Sequence, residues 1–277
     1  MPLCTPPRDL SPTVPTAFQG LWRRRLLASE GRIDSETTVY WLQSGRLYAD
    51  IRIPPGRPDC ESLADASSRT LQVLASQQGF AGHLDVDADV LSWHRWLDYQ
   101  PPASVADVGR VHFDNDILIE QGVHASYMEE WVRIDGPHPD RLALRLEAEV
   151  SLDGTERERA GVLVASGAYF MIAIDRAQPL PAGATLHDLL TAQGASGSEQ
   201  RAVLDCSIDF GRRQDGRWEL SLSTLPFHEG ETLAAMHGRW SAPRRDQYLQ
   251  HLDGGVIRRW RVVERGARFS GFGNATA

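Results

Sequence analysis

Leu142, Leu144, Leu146, Ala148 and Val150 alternate with polar residues, and the stretch around which the chain is organised is TTVYWLQSGRLYADIRI, residues 37–53. The two-residue period is that of a strand, and two runs rich in β-branched and aromatic residues flank Ser44-Gly45, a pair suited to a two-residue hairpin turn. That loop predicts Trp41 opposite Tyr48, Val39 opposite Asp50 and Thr37 opposite Arg52 on one face. Leu42 with Leu47, Tyr40 with Ala49, and Thr38 with Ile51 would share the other. One face is oily. The other carries aromatics with an acid and a guanidinium, and serves either as a solvated surface or as a pocket wall.

Strand signals recur along the chain at 23–27, 82–86, 90–99, 108–113, 117–120, 124–134, 142–152, 161–166, 169–174, 202–210, 218–224, 237–241 and 256–264. Turn residues separate them, among them Asp114-Asn115-Asp116, Gly136-Pro137, Asp153-Gly154, Gly167, Asp215-Gly216 and Asp253-Gly254-Gly255. Near-helical spacing predicts short helices at 63–75 and 186–192, and a further helical piece is considered at 245–251. About a dozen strands with two or three short helices, and no βαβ alternation, predict an all-β antiparallel sandwich or barrel.

Four parts are expected. Residues 1–15, with Pro2, Pro6, Pro7, Pro12 and Pro15, read as an extended arm. Residues 16–176 form an N-terminal barrel-like part, and 177–200, marked by Pro179, Pro181, Gly183 and the loop 194–198, a connecting segment. Residues 201–277 form a β part that completes the fold or makes a second barrel. Gly20-Leu-Trp22 and Gly238-Arg-Trp240 repeat a Gly-x-Trp step near a strand start. Followed by a long meander, the first of these resembles the lipocalin-like (calycin) superfamily. The resemblance implies that Gly20 and Trp22 close one end of an up-and-down barrel able to hold a small molecule. The chain is longer than one such barrel needs.

Composition narrows the partners. A formal charge of -8 argues against a sequence-independent grip on nucleic acid, despite arginines at 23–25 and at 258, 259 and 261. All 29 basic residues are arginine, so Schiff-base chemistry, a pyridoxal-phosphate anchor and a Walker-type lysine are excluded. Cys4, Cys60 and Cys206 lie far apart, indicating neither a disulfide framework nor a thiolate zinc site. With no apolar leader and no run of membrane-spanning length, a cytoplasmic protein without a membrane partner is expected. A homodimer is left open.

Four strand faces carry candidate chemistry: Trp41 with Tyr48, Asp50 and Arg52; Ser92, His94, Trp96 and Asp98; Arg110, His112 and Asp114; and Tyr127, Glu129, Trp131 and Arg133. Two of them repeat a Tyr-acid-Arg order. If both point into one lumen, the acids are desolvated and the arginines hold them ionised, which suits acid/base chemistry or an anionic anchor. If they point outward, they are surface ion pairs worth little.

His94, His112, His124, His228 and His237 are conceivable metal or haem ligands, but none lies at H-x-H or H-E-x-x-H spacing. Ser166-Gly167 and Ser270-Gly271 lack a nucleophile elbow, and Gly271-Phe-Gly273 reads as a tail. The leading expectation is an enzyme, independent of metal and cofactor, acting on a small apolar or aromatic metabolite. Asp50 or Glu129 would be the base, with His94 or His112 as proton shuttle. Arg52 or Arg133 would anchor charge, and Trp41, Tyr48, Trp96, Tyr127 and Trp131 would form the walls. The alternatives are a non-catalytic ligand- or haem-binding protein and a structural partner protein.

Overall fold

A computed structural model describes residues 13–180, 185–191, 197–269 and 272. Most of the 1–15 arm, Cys4, Pro181, Gly183, residues 194–196, Ser270, Gly271 and Gly273 lie outside the described residues.

The first sheet contains β1 (Gly20–Ser29), β2 (Arg32–Asp34), β3 (Thr38–Gln43), β4 (Tyr48–Ile53), and, after helix α1 (Ser68–Leu74), β5 (Gln78–Asp87), β6 (Val90–Asp98), β7 (Asp107–Asp114), β8 (Ile117–Gly122) and β9 (Tyr127–Asp135). From β3 onward each strand pairs antiparallel with the next, β1 pairs with β3, and β1 also pairs with β9. The sheet therefore closes into an eight-stranded up-and-down barrel, with β2 as a hairpin extension of β1. Closure leaves no free edge within the eight-strand ring.

The second sheet holds β10 (Arg141–Val150), β11 (Glu156–Arg157), β12 (Gly161–Ser166), β13 (Tyr169–Ile174), and, beyond helices α2 (Leu186–Thr191) and α3 (Gly197–Leu204), β14 (Ser207–Gln214) and β15 (Arg217–Ser223). Helix α4 (Leu233–His237), β16 (Arg239–Arg244), β17 (Gln247–His251) and β18 (Ile257–Arg265) follow. The order β15-β14-β13-β12-β10-β18-β17-β16 is an open half-barrel, with α4 in the stretch of chain between its two edge strands. The sheets change over at 136–140, so the strands between 141 and 174, grouped by sequence with the N-terminal part, belong to the second sheet. The described residues hold eighteen strands and four short helices, more strands than the dozen the pattern predicts. The helix considered at 245–251 is instead β17, hydrogen-bonded on both sides. None of the described helices is long and apolar enough to cross a membrane.

The hairpin that anchors the sequence pattern forms, with its register moved by two residues. Trp41 pairs with Asp50, and Gln43 with Tyr48. The loop is four residues, Ser44 to Leu47. Ser44 N–H donates to the Leu47 carbonyl at 2.9 Å, and Ser44 Oγ accepts from Arg46 and Leu47 N–H. A slip of two residues preserves the pleat, so Trp41, Tyr48, Asp50 and Arg52 still share a face.

Three apolar clusters follow. The barrel lumen holds Trp22, Val39, Trp41, Tyr48, Phe80, Leu84, Leu91, Trp93, Val111, Leu118 and Trp131, joined by Val14 and Phe18. A second cluster lies between the outer barrel wall (Leu42, Ala49, Ile51, Ala81) and one face of the second sheet (Val162, Val164, Met171, Ile208, Phe210). The third covers the other face of that sheet, around Leu144, Leu163, Phe170, Trp218 and Trp260. β4 is buried along almost its whole length because both its faces are covered. Arg176 pins the two halves: its guanidinium donates to the carbonyls of Asp98, Tyr99 and Val203.

Both Gly-x-Trp steps have a backbone reason. Gly20 (φ 113°) and Gly238 (φ 70°) lie in the left-handed region, and a Cβ at either would strike a carbonyl oxygen, of Asp135 and of His251. Trp22 is fully buried, donates to the Phe18 carbonyl at 2.8 Å, and stacks on Trp41 with centroids 5.9 Å apart. Trp22→Ala should therefore lower unfolding stability by about 3–5 kcal/mol, read as a shift of the urea midpoint.

Candidate functional site

Alternation along β1 and β3–β9, interrupted by bulges in β1 and β6, turns a polar set inward among the lumen aromatics. A cavity of about 230 Å³ is lined by Leu27, Ser29, Trp41, Asp50, Arg52, Phe80, Trp93, Arg95, Asp107, Glu120, Tyr127, Glu129 and Trp131. At the other end the lumen is filled: Phe18 and Phe113 stack at 6.1 Å, and Phe113 also meets Trp22. A surface depression framed by the β1–β2 hairpin and residues 121–128 shares Ser29 and Tyr127 with the cavity, which marks the entrance.

The charges inside form chains. Arg24 donates to Glu129 Oε1 at 2.8 Å and to Asp34 at 2.7 Å, and Arg52 donates to the same Glu129 oxygen at 3.2 Å and to Asp50 at 2.8 Å. Arg95 holds Asp98 at 2.6 Å and Asp107 at 2.5 Å. Phe80 packs against two guanidiniums, Arg95 at 3.6 Å and Arg52 at 5.0 Å from its ring centre. Such pairing is what keeps buried charge tolerable.

Glu120 has no guanidinium. It accepts from the Tyr127 hydroxyl at 2.7 Å and from Trp131 Nε1 at 3.1 Å, both neutral donors. Burial first and the neighbouring Glu129 carboxylate second push it up to about 8, partly offset by the Tyr127 bond, so its carboxyl is protonated at neutral pH. Burial also raises Asp50, against the opposing pull of Arg52. The Tyr48 phenol, fully buried and without a hydrogen-bond partner, is pushed well up by burial.

Of the residues singled out by sequence, Trp41, Asp50, Arg52, Tyr127, Glu129 and Trp131 meet on the cavity wall. Tyr48 faces the lumen but lies off that wall, packed edge-on against Phe80. Arg133 sits over the Trp22 ring at 4.5 Å and donates to the Ala17 carbonyl, at the filled end.

The β6 and β7 assignments are corrected. Trp93 and Arg95 face inward, while His94 is exposed on the outer wall against His83 and Asp85. A bulge follows: Arg95 pairs with Gly82 but Leu97 with Ala81, leaving Trp96 as the extra residue. Trp96 packs outward on the His94 side, and past the bulge Leu97 packs outward too, against the inter-sheet cluster, so strict alternation fails there and Asp98 turns back toward Arg95. His112 is exposed with Arg110 and Asp114, because Val111 takes the lumen face of β7. Among the described residues, no imidazole, thiol or thioether lines the cavity.

Sequence reasoning missed Glu120, Asp107, Arg95 and Arg24. Glu120 left one trace, an acid two positions after Leu118 on the apolar face of its strand. Arg24 was hidden inside a run of three arginines, and only its alternation with Trp22 distinguishes it.

No family model matches the chain, and no curated protein matches it. Among solved structures it is similar to the uncharacterized protein YLR301w from Saccharomyces cerevisiae, with a TM-score of 0.53, 14% identity, and coverage of 90% of this chain and 99% of that one. At that identity the likeness concerns the fold alone.

Glu120 also predicts a pH dependence. A carboxyl raised from 4.5 to about 8 on folding contributes stability that is full below pH 4.5 and is lost as pH rises through 8. Glu120→Gln removes that loss. Its melting temperature relative to the parent should climb between pH 5 and 8 and level off above, measured by thermal melts across that range.

Proposed function

We propose that the barrel lumen is the site of an enzyme that carries out acid/base chemistry on a small, largely apolar or aromatic molecule without a cofactor. The observation that carries this reading is the protonated Glu120 carboxyl in an aromatic-walled cavity that also holds the salt-bridged Asp50–Arg52–Glu129 chain. Two carboxyl groups whose surroundings make one a proton donor and another an acceptor form an acid/base pair. Glu120 is the acid and Asp50 the base. Arg52 and Arg24 compensate Glu129, Tyr127 orients Glu120, and Trp41, Trp93, Trp131 and Phe80 hold the substrate by its faces.

Size limits the substrate. A cavity of about 230 Å³ lies below the roughly 300–1,000 Å³ of drug-sized sites. The closed barrel with its buried Gly20-x-Trp22 step supports a calycin-like relationship, in which a lumen ligand is the common use of the fold. A non-catalytic carrier is the second reading, favoured by the mutual pairing of the lumen arginines with carboxylates. For the haem version, the cavity wall holds no imidazole among the described residues.

The test screens small aromatic and alicyclic carbonyl compounds and amines by quenching of tryptophan emission, then assays the binders for turnover. Glu120→Gln and Asp50→Asn should each lower kcat by about 10²–10⁴ while altering affinity only a few-fold. Binding with no turnover of any binder would favour the carrier, and turnover unchanged in both variants would remove this mechanism. Ser29→Trp at the entrance should abolish binding while the far-ultraviolet circular dichroism stays that of the parent.

A further inference from the structure

We propose that Asp209, His228 and His237 form a site for one divalent transition metal ion of the zinc type, on the face of the second sheet turned away from the barrel. The three come from separate segments: Asp209 from β14, His228 from the short 3₁₀ turn Pro226–His228, and His237 from the end of α4. One donor atom from each lies within 4.8 Å of the others. His228 Nδ1 is 3.0 Å from Asp209 Oδ1, and His237 Nε2 is 2.6 Å from Asp209 Oδ2. Metal–ligand bonds of about 2.0–2.2 Å place tetrahedral donors roughly 3.3 Å apart. Against that spacing the His228 contact is short by about 0.3 Å and the His237 contact by about 0.7 Å, and the two rings now meet different oxygens of Asp209, so admitting an ion spreads the donors and turns one ring toward the other.

The surroundings resemble an outer coordination shell. Ser207 and Ser223 hydroxyls donate to the two oxygens of Asp209, holding the carboxylate plane. The His237 carbonyl accepts from Gln250 at 2.6 Å, and Gln250 in turn accepts from Trp260 Nε1 at 2.8 Å, which fixes the end of α4. The two imidazole planes meet at 82°, with centroids 5.7 Å apart, so the rings approach a common point from different directions. All three residues are buried, His228 the least so at 9% exposure, and its side is the one from which a water would complete the coordination as fourth ligand. Two histidines, one carboxylate and an open position are a donor set that zinc accepts, and cobalt reports it spectroscopically.

The other histidine cluster, His83, Asp85 and His94 on the outer barrel wall, serves as the control. Its rings stack face to face, 9° from parallel, and His94 and Asp85 are about half exposed. Full-length protein stripped with chelator is titrated with Co²⁺ near neutral pH. We expect one equivalent to bind with an intense visible band of tetrahedral type, zinc to displace it, and zinc to raise the melting temperature. His228→Gln, at the rim of the site, should weaken binding by roughly 100-fold or more, and Ser223→Ala by about 10–100-fold. His94→Asn should leave it unchanged. No saturable band in the parent protein would overturn the proposal and leave a carboxylate hydrogen-bonded between two imidazoles. Equal affinity in His228→Gln, or loss in His94→Asn, would overturn it as well.

Discussion

The seal between the outer barrel wall and the second sheet constrains everything inside the barrel. Tyr40 stacks on Phe210 at 4.6 Å, Gly79 leaves room for Ile208, and Ala49, Ile51 and Ala81 are all without exposure. A wall covered on both faces cannot hydrate the polar groups that alternate onto its inner side. Asp50 lies on that covered wall, and Glu120, Glu129 and Arg24 are buried on the neighbouring barrel strands; all four are satisfied by partners, because an unpaired buried charge would cost several kcal/mol.

The lumen meets that demand unevenly, and its chemistry comes from the unevenness. Glu129 is shared by two guanidiniums, Asp50 is held by Arg52, and Asp98 and Asp107 share Arg95. Glu120 receives only neutral donors and so keeps its proton. In the reading proposed above, a proton-bearing carboxyl beside salt-bridged ones, among aromatic walls, is preorganised for proton transfer.

The second sheet handles buried charge differently because it does not close. Its edges are bridged by the segment carrying His228 and α4, and that segment brings two imidazoles to a single carboxylate. Asp209 is driven up by burial and more strongly down by its imidazole partners, so it stays ionised. Aromatic packing covers the rest of this face: Trp218, Trp240 and Tyr248 surround Phe272 near the C-terminus.

The period-two alternation was enough to identify an all-β chain, to place Trp41, Tyr48, Asp50 and Arg52 on one face, and to pair that face in kind with Tyr127, Glu129 and Trp131. Those statements survived a register shift because a slip of two residues keeps every side chain on its side. Alternation says which residues share a face, not which face becomes the inside. That was decided by closure of β1 on β9, by Trp93 and Arg95 taking the lumen face of β6 and leaving His94 and Trp96 outside, and by Val111 displacing His112 from the lumen. Glu120 and Asp209 were equally out of reach. What makes each chemically distinctive is the set of neighbours supplied by distant strands and turns, and burial by parts of the chain far away in sequence can only be read once those parts have met.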